Sequence, residues 1–256
     1  MKPYFKSDTG LGTLYHGDCL EIMPYSPDKT FDMILCDLPY GTTACKWDNI
    51  IQFEPLWEQY KRLIKDNGAI VLTAAQPFTS ALVISNVEMF KYSWVWIKSQ
   101  AVGHLNAYKM PMKNIEDVLI FYNQQPKYNF QLEDKPELNI RPETRVRKET
   151  SCYGDHSKQS SRIIPKNKTL PKQTLFFNNC QDNLHPTQKP VALFEYLIKT
   201  YTNEGDIVLD NCAGSGTTGV ACENLNRKYV LIEQEEKYCE IAAERIRIET
   251  NQRKLF

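Results

Sequence analysis

Four consecutive residues, Asp37-Leu38-Pro39-Tyr40, bring together a carboxylate, a rigid proline and an aromatic ring. They follow the apolar run 31–36, whose length and composition predict a buried β-strand that stops at this point. Open α/β sheets bind ligands beyond the carboxyl ends of their strands. The four residues are therefore expected at a ligand site, and their side chains suit a flat, hydrogen-bonding ring.

A second candidate site is the glycine-containing loop 210–218, between a predicted strand and a predicted helix. Gly214 and Gly216 allow a ligand close to the backbone, and the start of the helix offers free N–H groups to a carboxylate or phosphate. Glu233, at the end of the next predicted strand, could bind two ribose hydroxyls. A plain strand–helix turn and a nicotinamide dinucleotide site are the alternative interpretations.

A third segment, 185–190, opens a predicted helix, with Pro190 suited to the first helical position. Thr187 and Gln188 supply a hydroxyl and an amide, and Lys189 supplies a charge that could pair with a ligand carboxylate. A capped helix start alone would also explain these residues.

Strand and helix patterns alternate along most of the chain, which predicts an α/β doubly wound sheet with helices on both faces. The strands are predicted at 14–16, 31–37, 69–72, 92–97, 118–122, 207–209 and 229–232, and the helices at 54–65, 77–87, 190–202, from 217 and from 235. The intervening loop 99–115 could help to hold a base or its phosphates, or could be a solvated loop only.

From 123 to 184 this periodicity disappears, and the stretch is polar and basic. Between Arg141 and Lys172 there are nine basic and three acidic residues, a net charge of +6, whereas the whole chain is neutral. A local excess of this kind is typical of a nucleic-acid-facing region. A nicotinamide-dependent oxidoreductase leaves it unexplained.

The remaining composition excludes several classes. The chain is 42% apolar and 24% charged, as in ordinary globular proteins. Its eight cysteines show no zinc-type spacing, so we predict no metal site and expect reduced thiols. The chain lacks the roughly 20 apolar residues of a membrane span and a signal-peptide core, which predicts a cytoplasmic protein with no membrane partner.

Taken in order, these motifs resemble the β-class of S-adenosylmethionine-dependent amino-group DNA methyltransferases. The tetrapeptide at 37–40, the basic stretch 123–184, the Thr-Gln-Lys-Pro at 187–190 and the glycine loop follow one another as in that family, and 14–21 resembles its opening segment. Leu38 replaces the usual proline, which is compatible because the family uses the backbone carbonyl there, and Cys212 stands where phenylalanine is common.

The resemblance implies a Rossmann-like fold with a mostly parallel seven-stranded sheet, one antiparallel strand and helices on both faces. It implies a catalytic domain of 1–122 and 185–256 and an inserted target-recognition region of 123–184. Asp37 and the Leu38 carbonyl would accept the two N–H groups of an exocyclic amine, Pro39 would aim that carbonyl, and Tyr40 would stack on the flipped base.

The resemblance also implies the binding residues. S-adenosylmethionine would contact Asp18, Cys19, Thr187, Lys189, Asp210, Ala213, Gly214, Ser215, Gly216, Thr217, Thr218 and Glu233, with Asp210 alternatively bracing the loop. Double-stranded DNA would contact Arg141, Arg145, Arg147, Lys148, Arg162, Lys166 and Lys168. Members often dimerise, so a homodimer is an open expectation, and a bacterial or phage origin is implied.

An initial Asp in the tetrapeptide favours adenine N6 as the target of the resembled family. Cytosine N4 and a catalytically idle DNA-binding scaffold stay open as alternatives.

Overall fold

The structure, a computed structural model, describes residues 1–42, 48–134, 164–180 and 188–253. Its strands are β1 (Phe5–Lys6), β2 (Gly12–His16), β3 (Phe31–Asp37), β4 (Ile64–Ala74), β5 (Phe90–Val102), β6 (Lys113–Phe121), β7 (Glu133–Asp134), β8 (Lys168–Thr169), β9 (Thr174–Phe177), β10 (Ile207–Asp210) and β11 (Lys228–Glu233). Its α-helices are α1 (Cys19–Ile22), α2 (Phe53–Leu63), α3 (Phe78–Ser85), α4 (Val191–Tyr201), α5 (Thr217–Asn224) and α6 (Glu236–Arg253).

Nine of the strands in the described ranges form one sheet, in the order β1-β2-β11-β10-β3-β4-β6-β5-β9. β6 runs antiparallel to both of its neighbours, and β1 runs antiparallel to β2. The other pairings are parallel. The carboxyl ends of β2, β3, β4, β10 and β11 therefore lie at one edge of the sheet, where ligands of such folds bind.

Alternating side chains of β3 divide the core into two layers. Met33 and Leu35 pack in a cluster that includes residues of α4, α5 and α6. Ile34 and Cys36 pack in a second cluster with residues of α1, α2 and α3. Since all four side chains are fully buried, both faces of the strand are covered, which explains its nearly continuous apolar sequence.

The predicted fold class is confirmed. The observed sheet differs from the predicted one in the strands at its two edges. The seven strands from β2 to β5 contain one antiparallel member, as expected, and the short strands β1 and β9 extend them to nine among the described residues. β9 has four residues, of which one is buried, and it therefore gave no clear alternation in the sequence.

Strands β5 and β6 are longer than their apolar patterns predicted, so the predicted 99–115 loop shortens to 103–112. The added ends carry polar residues such as Lys98, Ser99 and Gln100, which extend past the core and have no reason to be apolar. None of the helices in the described ranges is long and apolar enough to cross a membrane.

The chain divides into two compact units, one of 1–129 with 173–256 and a smaller one of 130–172. In the smaller unit, β7 and β8 pair antiparallel, with Asp134 opposite Lys168. The Lys168 ammonium lies 2.6 Å from the Asp134 carboxylate. The sequence interval 123–184 extends beyond this unit at both ends.

Candidate active site

The carboxylate of Asp37, the last residue of β3, receives three donors. The Tyr40 hydroxyl donates to Oδ1 at 2.8 Å, and the Thr73 hydroxyl donates to the same oxygen. The Lys189 ammonium donates to Oδ2 at 2.6 Å. Thr73 reaches this point because β3 and β4 are parallel neighbours with Asp37 paired to Thr73. Donors from the turn after β3, from β4 and from the segment before α4 thus fix one carboxylate at the sheet edge.

Lys189 belongs to a buried row of alternating charges. Its side chain is 6% exposed, and its ammonium also lies 3.4 Å from Glu116 Oε2. Glu116 in turn pairs with Lys98. Burial alone lowers the pKa of Lys189, but the Asp37 and Glu116 carboxylates outweigh burial and raise it above its ordinary value. Lys189 is therefore a permanent cation beside Asp37 at neutral pH.

Tyr40 is held both at its ring and at its hydroxyl. One ring face stacks on Phe78, with centroids 5.2 Å apart and an angle of 22°. The Lys189 ammonium lies 5.6 Å from the Tyr40 centroid. Burial, with the Asp37 charge adding to it, raises the Tyr40 pKa well above its ordinary value, so the hydroxyl stays protonated and donates to Asp37. Because Phe78 covers one face, a planar ligand could stack only on the other.

The two residues between Asp37 and Tyr40 present little side-chain chemistry. Leu38 is 3% exposed and packs in the same cluster as Ile34 and Cys36. Leu38 and Pro39 both line the cavity described below. A buried aliphatic side chain at position 38 leaves the backbone as its polar contribution to the site.

The glycine loop is closed by Glu233 at the end of β11. Glu233 Oε2 accepts from the Gly214 amide at 2.7 Å, and Oε1 accepts from the Glu235 amide at 2.8 Å. Burial raises the Glu233 pKa, although these backbone donors oppose the rise. Each oxygen of an ionised carboxylate has a second acceptor position, so Glu233 can still receive two hydroxyls. Gly214 and Gly216 have φ angles of 50° and 80°, in the left-handed region that favours glycine.

The buried carboxylate of Asp210 holds the same loop in place through hydrogen bonds. It is 2% exposed and accepts from the Cys212 amide at 3.1 Å and from the Thr218 hydroxyl. Burial raises its pKa to about 7, with the hydrogen bonds opposing the rise. These contacts agree with the bracing role that the sequence left open, and Asp210 also lines the cavity.

The segment before α4 joins the two candidate sites. The Ser215 hydroxyl donates to Gln188 Oε1 at 3.1 Å, and the Thr217 hydroxyl donates to the Lys189 carbonyl at 3.4 Å. Arg245 of α6 donates to the Ser215 carbonyl at 2.6 Å. The backbone of 188–189 is therefore tied to the glycine loop, while the Lys189 side chain extends to Asp37.

One cavity of about 860 Å³ is lined by residues of the tetrapeptide, of the glycine loop and of the segment 188–189. Its lining includes Asp37 and Tyr40 at one part and Gly214 and Glu233 at another. This volume is within the range of small-molecule and cofactor sites, roughly 300–1,000 Å³. The glycine turn, the Glu233 carboxylate and the cavity shared with Asp37 fit S-adenosylmethionine.

The structure brings most of the predicted site residues together. Besides the residues already placed, Asp18, Cys19, Ala213, Ser215 and Thr217 line the cavity. Asp18 also caps α1, accepting from the Leu20 amide at 2.7 Å. Cys19 and Cys212 contact each other through their thiols. Gly216 and Thr218 do not line the cavity; Gly216 lies against Ala242, and the Thr218 hydroxyl donates to Asp210.

Lys189, which the resemblance assigns to the cofactor site, pairs its ammonium with Asp37 and Glu116. Lys168, predicted to bind DNA, pairs with Asp134, and Lys166 lies in the same described segment. The other predicted contacts, Thr187 and Arg141, Arg145, Arg147, Lys148 and Arg162, lie outside the described residues. The described residues contain no group of three or more His, Cys, Asp or Glu side chains that could hold a metal ion.

Sequence reasoning missed Thr73, Glu116 and Phe78. Thr73 had a weak signal, since it is the single hydroxyl in the otherwise apolar stretch 69–74 of β4. Glu116 had none, because acids are common at strand ends that reach solvent. Phe78 read as an ordinary apolar residue of a helix.

Comparisons with known proteins agree with this geometry. A family model described as DNA methylase, covering N6 and N4 methyltransferases, matches residues 31–244. The type II methyltransferase M.HpaI of Haemophilus parainfluenzae is 29% identical over 237 residues, which cover 88% of this chain and 70% of that protein. M2.MboI of Moraxella bovis is 27% identical over 96% of this chain and 91% of its own length.

Two solved structures are similar over nearly the whole chain. The crystal structure of an M1.HpyAVI–SAM complex superposes with a TM-score of 0.62 at 26% identity, covering 91% of this chain and 99% of that one. The PvuII DNA methyltransferase, titled cytosine-N4-specific, superposes with a TM-score of 0.68 at 19% identity, covering 98% and 94%, and shows the fold alone.

Proposed function

The chain belongs to the N6/N4 DNA methylase family of S-adenosylmethionine-dependent enzymes, and from that premise we propose that it methylates the N6 amine of adenine at a specific DNA site. The observation that carries this proposal is Asp37, fixed by three donors at the end of β3, in one cavity with the Gly214 loop. An initial Asp in the tetrapeptide supports adenine over cytosine.

The amine of adenine is a weak nucleophile because its lone pair is delocalised into the ring. Asp37 would accept one N–H and the Leu38 carbonyl the other, which directs the lone pair out of the plane of the ring. A carboxylate offers about four acceptor positions, and three donors occupy Asp37 here, so one position is left for the amine. S-adenosylmethionine supplies an electrophilic methyl group when it is bound.

Positioning is the main contribution of this site to the reaction. Tyr40, braced on one face by Phe78, would stack on the extruded base with its other face. Glu233 would hold the ribose of the cofactor, Asp18 would lie near its adenine, and the loop 213–218 would surround its methionine part. Asp37 already contacts the amine in this arrangement, so it is also placed to take the proton that the amine releases.

The inserted region 123–184 would read the DNA sequence, and 1–122 with 185–256 would form the catalytic domain. The excess of Arg and Lys in the inserted region suits contacts with DNA phosphates, which position a protein on the duplex. Contacts with the base edges would give the sequence specificity. The type II relatives come from bacteria and support a role beside a restriction enzyme in a bacterial cell.

Label transfer from S-adenosylmethionine tests the proposal. The protein is incubated with methyl-labelled cofactor and unmethylated plasmid, and the DNA is digested to nucleosides and separated. We expect label in N6-methyldeoxyadenosine. Label in N4-methyldeoxycytidine would overturn the adenine assignment, and cofactor binding without any transfer would support the idle scaffold.

The same label-transfer assay on an Asp37→Ala variant tests the role of this residue. The variant should lose transfer by about 100-fold or more, since proton-accepting groups contribute on this scale. Its cofactor affinity should stay close to that of the wild type. Asp66→Ala is the matched control, because Asp66 is a surface acid whose side chain is 62% exposed and pairs with Lys29.

A further inference from the structure

The loop 103–112, between β5 and β6, exposes apolar side chains that have no packing role. Leu105 and Tyr108 are 95% and 103% exposed, and Met110 and Met112 are 52% and 38% exposed. Full exposure of a leucine and a tyrosine in one short loop is costly in water unless a partner covers them.

The loop is a defined turn. A short 3₁₀ helix covers His104–Asn106 after Gly103, whose φ is 95°. The amides of Ala107, Lys109 and Met110 donate to the carbonyls of His104 or Asn106 at 2.8–3.1 Å. The apolar side chains are thus presented by a backbone that is already ordered, which reduces the entropy cost of binding.

The charge around the apolar side chains identifies the partner. Lys109 and Lys113 are exposed, and the sequence from 99 to 115 contains no acid. A cationic loop with an apolar tip complements a polyanion that offers stacked, apolar surfaces between its charges. Duplex DNA has that chemistry.

The position of the loop places such a partner at the reactive cavity. Val102, Lys113 and Ile115, at the bases of the loop, line the same cavity as Asp37 and Tyr40. A duplex that delivers a base to Asp37 would therefore meet the loop where the base leaves the helix.

We propose that the loop 103–112 enters duplex DNA beside the extruded base, with Leu105 and Tyr108 filling the gap and Lys109 and Lys113 contacting the flanking phosphates. This inference rests on the proposed function. Extrusion of a base breaks stacking and pairing on both sides. Apolar side chains inserted at such a step recover part of the lost stacking, and aromatic stacking on one base is worth roughly five- to a hundredfold in affinity.

Binding to a duplex that already contains a gap tests the loop without any methyl transfer. The probe is one synthetic duplex, prepared intact and with a single abasic site, and affinity is measured by fluorescence anisotropy. The wild type should bind the abasic duplex at least about fivefold more tightly. Leu105→Ala/Tyr108→Ala should bind both forms equally. Ile84→Ala/Tyr25→Ala is the matched control, since these side chains are 74% and 72% exposed elsewhere.

Methyl transfer gives a second readout. The double variant should methylate native plasmid about tenfold or more slowly than wild type but heat-denatured single strands at nearly the wild-type rate, because single strands need no extrusion. Equal preference for the abasic duplex in the double variant and the wild type, or a wild type with no preference, would overturn the inference. A wild type that prefers the abasic duplex yet transfers no methyl would instead contradict the proposed function.

Self-association is the competing use of the same side chains. Sedimentation of the wild type and the double variant separates the two. A wild-type dimer that the substitutions dissociate, together with no abasic preference, would assign the loop to a second copy of the chain and overturn the DNA assignment.

Discussion

At the scale of single residues, Lys189 explains how the Asp37 carboxylate is oriented at the edge of the sheet. Lys189 is buried and Asp37 is partly buried, with side-chain exposures of 6% and 20%. Glu116 shares the same ammonium at 3.4 Å, so Lys189 holds two carboxylates that would otherwise repel each other. A buried pair of this kind matters most when one partner is removed, because the remaining charge is left uncompensated.

Lys189→Met should therefore lower both stability and activity. We expect a loss of about 3 kcal/mol in the free energy of unfolding, measured in urea. The rate of methyl transfer should fall about tenfold or more, because the Asp37 carboxylate loses its orientation. Lys29→Met is the control, since Lys29 pairs with Asp66 at the surface, where such pairs contribute less than about 1 kcal/mol. Equal losses in the two variants would contradict the role given to Lys189.

At the scale of elements, the site depends on how closely the glycine loop approaches α6. A Cβ added at Gly216 would lie 2.7 Å from the Ala242 Cβ and 3.0 Å from its Cα. The backbone of α6 cannot move away cheaply, because Ala242 and Ile246 are fully buried. The loop, the start of α5 and α6 are thus fitted to a residue with no side chain.

Gly216→Ala tests this fit, and Gly205→Ala isolates the contribution of backbone strain. Both glycines have a φ of 80°, but a Cβ at Gly205 meets nothing within 4 Å. Gly205→Ala should cost about 1 kcal/mol through the left-handed conformation alone, with cofactor affinity unchanged. Gly216→Ala should cost about 1–3 kcal/mol more and weaken cofactor binding measured by calorimetry. Similar values for the two variants would show that packing against α6 is unimportant.

At the scale of the whole molecule, charge is divided unevenly along a neutral chain. The +6 of 141–172 is balanced by a net −6 in the rest of the sequence. Although the net charge of the whole chain is zero, the charge of this segment would attract DNA phosphates and that of the remainder would repel them.

Neutralising Arg145, Arg147 and Lys148 with glutamine should reduce the salt dependence of DNA affinity. The slope of log affinity against log salt should become less steep by up to about 3, since each phosphate contact contributes roughly 0.9. Affinity titrations at several salt concentrations measure it. Replacement of Lys61, Lys91 and Lys228, three cations outside the stretch, is the control. Identical slopes for the two triple variants would remove the DNA-binding role from 141–172.

The sequence alone determined the local structures that depend only on residues close together along the chain. The apolar run before Asp37, the glycine turn before α5 and the proline before α4 each predict a local structure, and all three are found. The sequence did not predict the ends of β5 and β6 or the short strand β9. Their residues lie outside the core or at the edge of the sheet, where burial imposes no pattern.

Only the tertiary structure decided which of these local pieces meet. Lys189 contacts Asp37 across 152 residues, and Thr73 reaches it across 36, through the parallel register of β3 and β4. The hydrophobic pattern predicts that a strand is buried. It does not predict which strand lies beside it, or which polar residues at the strand ends come into contact. The order of the sheet makes those choices, and with them it brings the Lys189 ammonium to the Asp37 carboxylate.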